Sequence, residues 1–276
     1  MKKFLALILA ALMCLTVFVG CTAEKDNVDD GQNEVVDSDW SYIKEDGKLI
    51  VGMTLFAPMN YYDDDNNFVG FETEFANAVG EKLGVEVEFV EIDWTTKEVE
   101  LAAKSIDVIW NGMTITPDRA ENMSVTVPYM ANKQVLVTKA ENAEVYATAD
   151  GLAGAVVVAE AESAGESVAT TDEYFASADY VAVDTMAKAL MEVSSGTADA
   201  CVVDYVASIG MIGEGTDYEE LVVVATDDFS PEEYGAAFRK GSDATAVVND
   251  AMKALAEDGT LEEIAKKYKL EELLLL

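Results

Sequence analysis

Apolar residues recur every fourth position at Phe71, Phe75, Val79 and Leu83, and Gly84 follows. That spacing predicts an amphipathic helix with a glycine stop. The period then changes to two: Val85, Val87 and Phe89 alternate with Glu86 and Glu88, the pattern of a half-buried strand. A short strand over 49–51 precedes the helix, with a polar loop over 54–68 between them. A helix over 97–104 and an apolar strand over 106–110 come next. Strand, helix, strand, helix, strand predicts a parallel sheet. Beyond Pro128-Tyr129-Met130 a strand is expected over 134–138, and the pattern restarts. Strands are expected over 155–159 and 181–183. Asp184 is expected to cap a helix that turns Met186, Leu190 and Met191 inward and stops at Gly196. Strands over 200–203 and 221–226 complete a second α/β unit, inserted in the first. A helix over 243–257 and a capping box from Thr260 to Glu263, opening a last helix, close the pattern. Leu273–Leu276 fits no element, and there is no tandem repeat.

The first residues carry a different pattern. Lys2 and Lys3 precede an apolar run over 4–19, too short for a comfortable membrane span and suited to an export signal over 1–20. Phe18-Val19-Gly20-Cys21 resembles a lipobox, cut before a lipidated Cys21, with Phe18 where leucine is usual; ordinary signal cleavage nearby is the alternative. Residues 21–39 are then a lipidated cysteine and an acidic tether, with too little apolar surface to fold. The chain has 276 residues, 50% of them hydrophobic, and a net charge of −35. Such a surface disfavours nucleic acid and anionic membranes, leaving membrane contact through the lipid alone. With no histidine, Ser-His catalysis and His-ligated metals are excluded. Of Cys14, Cys21 and Cys201 only Cys201 lies in the folded part, so no disulfide forms within it; it is expected in the core. Asp63-Asp64-Asp65 lacks calcium-loop spacing and is expected to be a solvated turn. No metal and no cofactor are expected.

Candidate chemistry concentrates in Trp110-Asn111-Gly112-Met113-Thr114-Ile115-Thr116-Pro117-Asp118-Arg119. This is the loop leaving a strand of an α/β sheet, where such sheets place ligands. It offers a small residue at Gly112, hydroxyls at Thr114 and Thr116, and a guanidinium at Arg119, which together suit a carboxylate. The plain alternative is a surface turn, with Thr116 as N-cap, Pro117 at N1 and Arg119 in water.

The run DVIWNGMTITPDRAENMSVTVPYMANKQVLV, with GKLIVGMT, NNFVGFETEFANAVGEKLGVEVEFV, WTTKEVELAAKSIDVI, YGAAFRKGSD and EDGTLEEIAKKYKL in order, resembles the family 3 extracellular solute-binding proteins, polar amino acid receptors of ABC importers. The resemblance covers roughly residues 47–269. It implies a two-lobe α/β fold of the type II periplasmic binding protein kind, with a central cleft and two crossover strands near 131–133 and 233–236. Lobe one would be 40–130 with 236–276, to which the tail returns, and lobe two 131–235. It implies a monomeric extracytoplasmic receptor, not an enzyme, that passes a free amino acid to ABC permease subunits. Use of the fold by a sensor or chemoreceptor is one alternative, and a secreted dehydratase another.

Residue by residue, Arg119, one of two arginines against sixteen lysines, matches the family arginine for the ligand carboxylate. Asp204 matches the aspartate for the ammonium, with helix capping as its other reading. Gly112 and Thr114 match loop positions that touch both charged ends. Ser163 and Ala164 match a turn whose N–H groups meet the carboxylate at a helix start, with Glu162 in place of glycine. Thr54 and Ala57 stand where the family has aspartate and tyrosine. Phe56 and Trp94 are candidate aromatic walls and Trp110 is placed at the mouth, with core packing the alternative for all three. With Thr54 replacing the aspartate, a neutral amino acid is the expected ligand.

Overall fold

The computed structural model describes residues 38–226 and 229–276. The expected signal peptide, Cys21 and the expected tether up to residue 37 lie outside the described residues. Ser38 caps helix α1 (Asp39–Asp46) by accepting the Ser41 N–H.

Strand β1 (Lys48–Met53) leads through a loop with a small hairpin, Tyr61–Tyr62 with Phe68–Val69, into α2 (Phe71–Leu83). The predicted stripe is real: Phe71, Phe75 and Val79 are fully buried. Gly84 takes φ +74° and closes the helix, its N–H on the Glu81 and Gly80 carbonyls, a conformation glycine reaches without strain. β2 (Glu86–Glu91) runs parallel to β1 with its glutamates in water. Helix α3 (Lys97–Ala102), β3 (Val108–Ile109), α4 (Pro117–Asn122) and β4 (Met123–Val125) follow.

The second set is β5 (Met130–Lys139), β6 (Val156–Glu160), α5 (Ala164–Thr171), β7 (Asp179–Val183), α6 (Met186–Ser195), β8 (Ala200–Asp204), α7 (Tyr205–Met211), β9 (Leu221–Val223) and β10 (Phe229–Tyr234). The chain then returns through β11 (Ala237–Arg239), α8 (Ala244–Glu257) and α9 (Thr260–Lys267). One sheet has the order β2-β1-β3-β11-β4, the other β9-β5-β8-β6-β7, with β10 also paired to β5. Each sheet is the centre of a lobe. β5 and β10 are antiparallel, with Ala131 opposite Glu233 and Met130 opposite Tyr234, side by side where the chain passes between the sheets.

Arg239 is consumed inside the first lobe. It pairs with Asp39 at 3.0 Å and Asp107 at 3.4 Å, and donates to the Leu101 and Ile106 carbonyls. Cys201 is fully buried in β8, and burial pushes its thiol pKa up. Asp63 accepts the N–H groups of Asp65 and Asn67, which closes its turn.

Three local expectations are corrected. Thr185, not Asp184, caps α6, accepting the Lys188 N–H at 3.0 Å. The buried stripe of α6 is Met186, Ala189, Leu190 and Val193; Met191 falls off that spacing and is 44% exposed. Thr260 is the first helical residue of α9 rather than its cap: Gly259 precedes it at φ +86°, and Asp258 accepts the Thr260 N–H. Of the C-terminal leucines, unassigned in the sequence, Leu274 and Leu275 dock at the start of β5. Leu274 bridges to Met130, and the Leu275 N–H donates to the Tyr129 carbonyl at 3.0 Å.

Candidate functional site

Two apolar strands end in a carboxylate. β8 ends Val202-Val203-Asp204 and its parallel neighbour β6 ends Val158-Ala159-Glu160. The carboxyl ends of parallel strands are where α/β sheets present ligand groups. From the other lobe the loop after β3 brings Gly112, Thr114 and Arg119. Thr116 caps α4 with Pro117 in its first turn, as the plain alternative expected, but Arg119 is buried rather than solvated. Its Nη1 donates to the Thr114 carbonyl at 2.9 Å, and its Nη2 reaches across to the Glu162 carbonyl at 3.1 Å. Among the described residues no carboxylate pairs with it. Burial lowers its pKa, and the nearby Glu98 and Asp204 oppose this.

Trp94, Gly112, Thr114, Arg119, Ser163, Ala164 and Asp204 surround one small cavity, together with Asn111, Glu160 and Met186. The space open to the centre of a water molecule is about 20 Å³, room for about one water. This inner cavity is narrow, and direct contacts bridge it. Besides Arg119 on Glu162, Lys97 Nζ lies 3.6 Å from Glu162 Oε2 and Thr114 Oγ1 donates to Glu232 at 3.1 Å. Gly210 of α7 lies on the first loop; a Cβ there would fall 2.5 Å from the Pro58 nitrogen.

Asp204 sits at the N-cap of α7 without capping it by its side chain. Its carboxylate accepts instead from Tyr234 Oη at 2.6 Å and from Gln134 Nε2. Burial raises its pKa, and these bonds oppose the rise. Glu232 accepts from Thr114, Asn132 and Gln134; burial and then Asp204 push it up to about 7. Gly112, at φ +53°, lies so close to Phe56 and Tyr234 that a Cβ would meet them at 3.0 and 3.3 Å. Its N–H is turned inward to Glu72 Oε1 at 2.8 Å, so only its carbonyl is left for a ligand. Glu72 also accepts from Tyr129, and burial raises it to about 7. Ser163 caps α5, its Oγ accepting the Glu166 N–H, and sets the first turn of that helix on the cavity wall. Glu162 takes φ +58°, which accounts for glycine as the unstrained choice there; its side chain leaves the cavity and is 59% exposed.

Three expected wall residues do not line the cavity. Trp110 is not at the mouth: it is fully buried, edge-on to Phe75 at 5.2 Å, because this end of the strand faces the α2 core. Thr54 gives its hydroxyl to Asn111 at 2.7 Å. Phe56 is buried beneath Gly112. Trp94 does line the cavity, with Lys97 Nζ 4.8 Å and the Arg119 guanidinium 5.9 Å from its ring. Glu160, Glu232, Met186 and Gln134 were missed in the sequence. For Glu160 a signal existed, an acid closing an apolar strand just as Asp204 does.

The model of the bacterial extracellular solute-binding proteins, family 3, matches residues 49–271. The chain belongs to that family. This solute-binding protein is 31% identical over 272 residues to the L-cystine-binding protein TcyA of Bacillus subtilis (strain 168), covering 97% of each chain. It is 30% identical over 233 residues to the L-cystine-binding protein TcyJ of Escherichia coli (strain K12), covering 82% of this chain and 84% of the relative. Among solved structures, an ABC uptake transporter substrate-binding protein from Streptococcus pneumoniae with bound histidine superposes with a TM-score of 0.75. The identity is 28%, over 87% of this chain and 99% of that one.

Proposed function

We propose that this solute-binding protein is the extracytoplasmic receptor of an ABC importer and closes its two lobes on one free amino acid. One observation carries the reading. A buried arginine with no carboxylate partner among the described residues and a buried aspartate face one cavity from opposite lobes. A zwitterion leaving water needs that pair of charges. Arg119 holds the carboxylate with its planar fork, helped by the N–H groups at the start of α5. Asp204, held by Tyr234 and Gln134, takes the ammonium. Thr114 and Gly112 lie between them.

The moving bodies are lobe one, residues 40–130 with 236–276, and lobe two, residues 131–235, turning about 131–133 and 233–236. The protein is a monomer that binds without catalysing, uses no cofactor, and hands its ligand to permease subunits. Residues 1–20 are removed and a lipid on Cys21 holds it to the membrane. The test is a thermal-shift panel of amino acids on the purified protein, followed by chemical analysis of the bound ligand. Ligand at about 100 times Kd adds about 2.7 kcal/mol, a rise of several degrees in Tm, and is recovered intact. No shift with any amino acid, or consumption of the ligand, would overturn the reading.

A further inference from the structure

We propose that Glu160 receives a second positive charge on the ligand, so the amino acid bound here carries a cationic nitrogen at its far end. The inference rests on the reading of the cleft as an amino acid site and narrows its ligand class. Glu160 closes β6 beside Asp204, lines the same cavity, and is 3% exposed. Its Oε1 is buried with no hydrogen-bond partner among the described residues. A buried acceptor left unmatched is costly, and so is a buried carboxylate without a counter-charge.

The other charges around the cavity have partners. Arg119 and Asp204 serve the two main-chain ends of the ligand. Lys97 is the remaining buried cation; its Nζ donates to the Trp94 carbonyl at 2.9 Å and faces Glu162 at 3.6 Å. Glu160 is the carboxylate left over. Lys97 draws its pKa down, while burial and Asp204 dominate and push it up to about 8. An arriving cation would therefore find an acid ready to ionise. Trp94 and Met186 line the same space and offer apolar surface to the carbon stem between the two charged ends. The expectation of a neutral ligand rested on the loss of an aspartate at Thr54; Glu160 restores a carboxylate from the opposite lobe.

Two chemistries meet this requirement, a basic side chain or the second α-ammonium of a disulfide-linked diamino acid. Calorimetry on the purified protein with lysine, ornithine, arginine, cystine and glutamine separates them. At least one dicationic or basic compound should bind at least tenfold more tightly than glutamine. Glu160→Gln should abolish that preference, weakening the preferred ligand at least tenfold while glutamine changes less than threefold. Preference for lysine, ornithine or arginine identifies a basic side chain, and preference for cystine the second ammonium. Tight binding of glutamine or another neutral amino acid, with the cationic compounds no better, overturns this inference and leaves the receptor reading intact. Failure of every amino acid overturns both. Because the preference is read on the unmodified protein, it stands even if the variant folds poorly.

Discussion

Asp204→Asn keeps the shape of the side chain and removes its charge. In the ligand-free protein the change relieves a repulsion, because Asp204 is one of the groups that push Glu232 up. The amide oxygen can still accept from Tyr234 Oη, which lies 2.6 Å from the carboxylate. The apo protein should therefore keep or gain thermal stability. The bound state loses far more. An ammonium about 2.8 Å from a carboxylate gains about 6 kcal/mol at an effective dielectric of about 20. An ordinary hydrogen bond to the amide oxygen returns about 1 kcal/mol, and Glu232 contributes part of the missing field. Breaking a buried charge pair by removing one partner costs about 3–5 kcal/mol, which weakens Kd roughly 100- to 4,000-fold. Calorimetry with the preferred amino acid measures the loss, and scanning fluorimetry of the apo protein measures stability in parallel. A loss below tenfold at unchanged stability would remove Asp204 from the ammonium site. Lower stability with normal binding would show that it serves only its hydrogen bonds with Tyr234 and Gln134.

Arg119→Lys retains charge without the planar fork; Kd should rise at least tenfold, about 1.4 kcal/mol, and unchanged affinity by calorimetry would exclude Arg119 from the carboxylate contact. Glu72, raised from 4.5 to about 7, keeps a proton in the fold that the unfolded chain releases, so its contribution falls as pH rises through that window. Glu72→Gln should remove up to about 3 kcal/mol of that fall, so the Tm of the variant relative to the parent should climb from pH 5 to pH 8; parallel curves would refute it. Mass spectrometry of the native protein should find at least two acyl chains on Cys21, enough for stable anchoring where one is marginal. Cys21→Ser should release the protein from membranes, and a mature form starting elsewhere would refute the anchor.

The helices and strands were legible where periodicity ran long, as in α2 and β2. Two of the three errors fell at ends, where one residue decides; the third, Met191, fell off the buried spacing in mid-helix. Asp184 and Thr185 are both good caps, and only the extended backbone at Thr185 settled which hydroxyl or carboxylate met the free N–H. Arg119 and Asp204 were legible because each combines a rare or charged residue with a strand end. Side-chain direction at those same ends was not legible. Trp110 and Asn111 are adjacent and point opposite ways, so the core took the tryptophan and the cleft the asparagine. Glu160 carried the same strand-end signal as Asp204 and was passed over, and only its inward direction had to come from the structure. Glu162, two residues on and more conspicuous as a departure from glycine, is the one that turned outward.

Leu275 is hydrogen-bonded to Tyr129 and Leu274 is bridged to Met130, at the start of the strand proposed as a hinge. In the proposed hinge motion Leu274 and Leu275 would act as a brace fastened across the joint. Rotation of the second lobe would carry the brace along or shear it loose, so whatever holds these two residues would also bias how readily the jaws part. A purification tag fused after Leu276 would pull on that brace. Affinities measured on such a fusion would report the tag as well as the cleft.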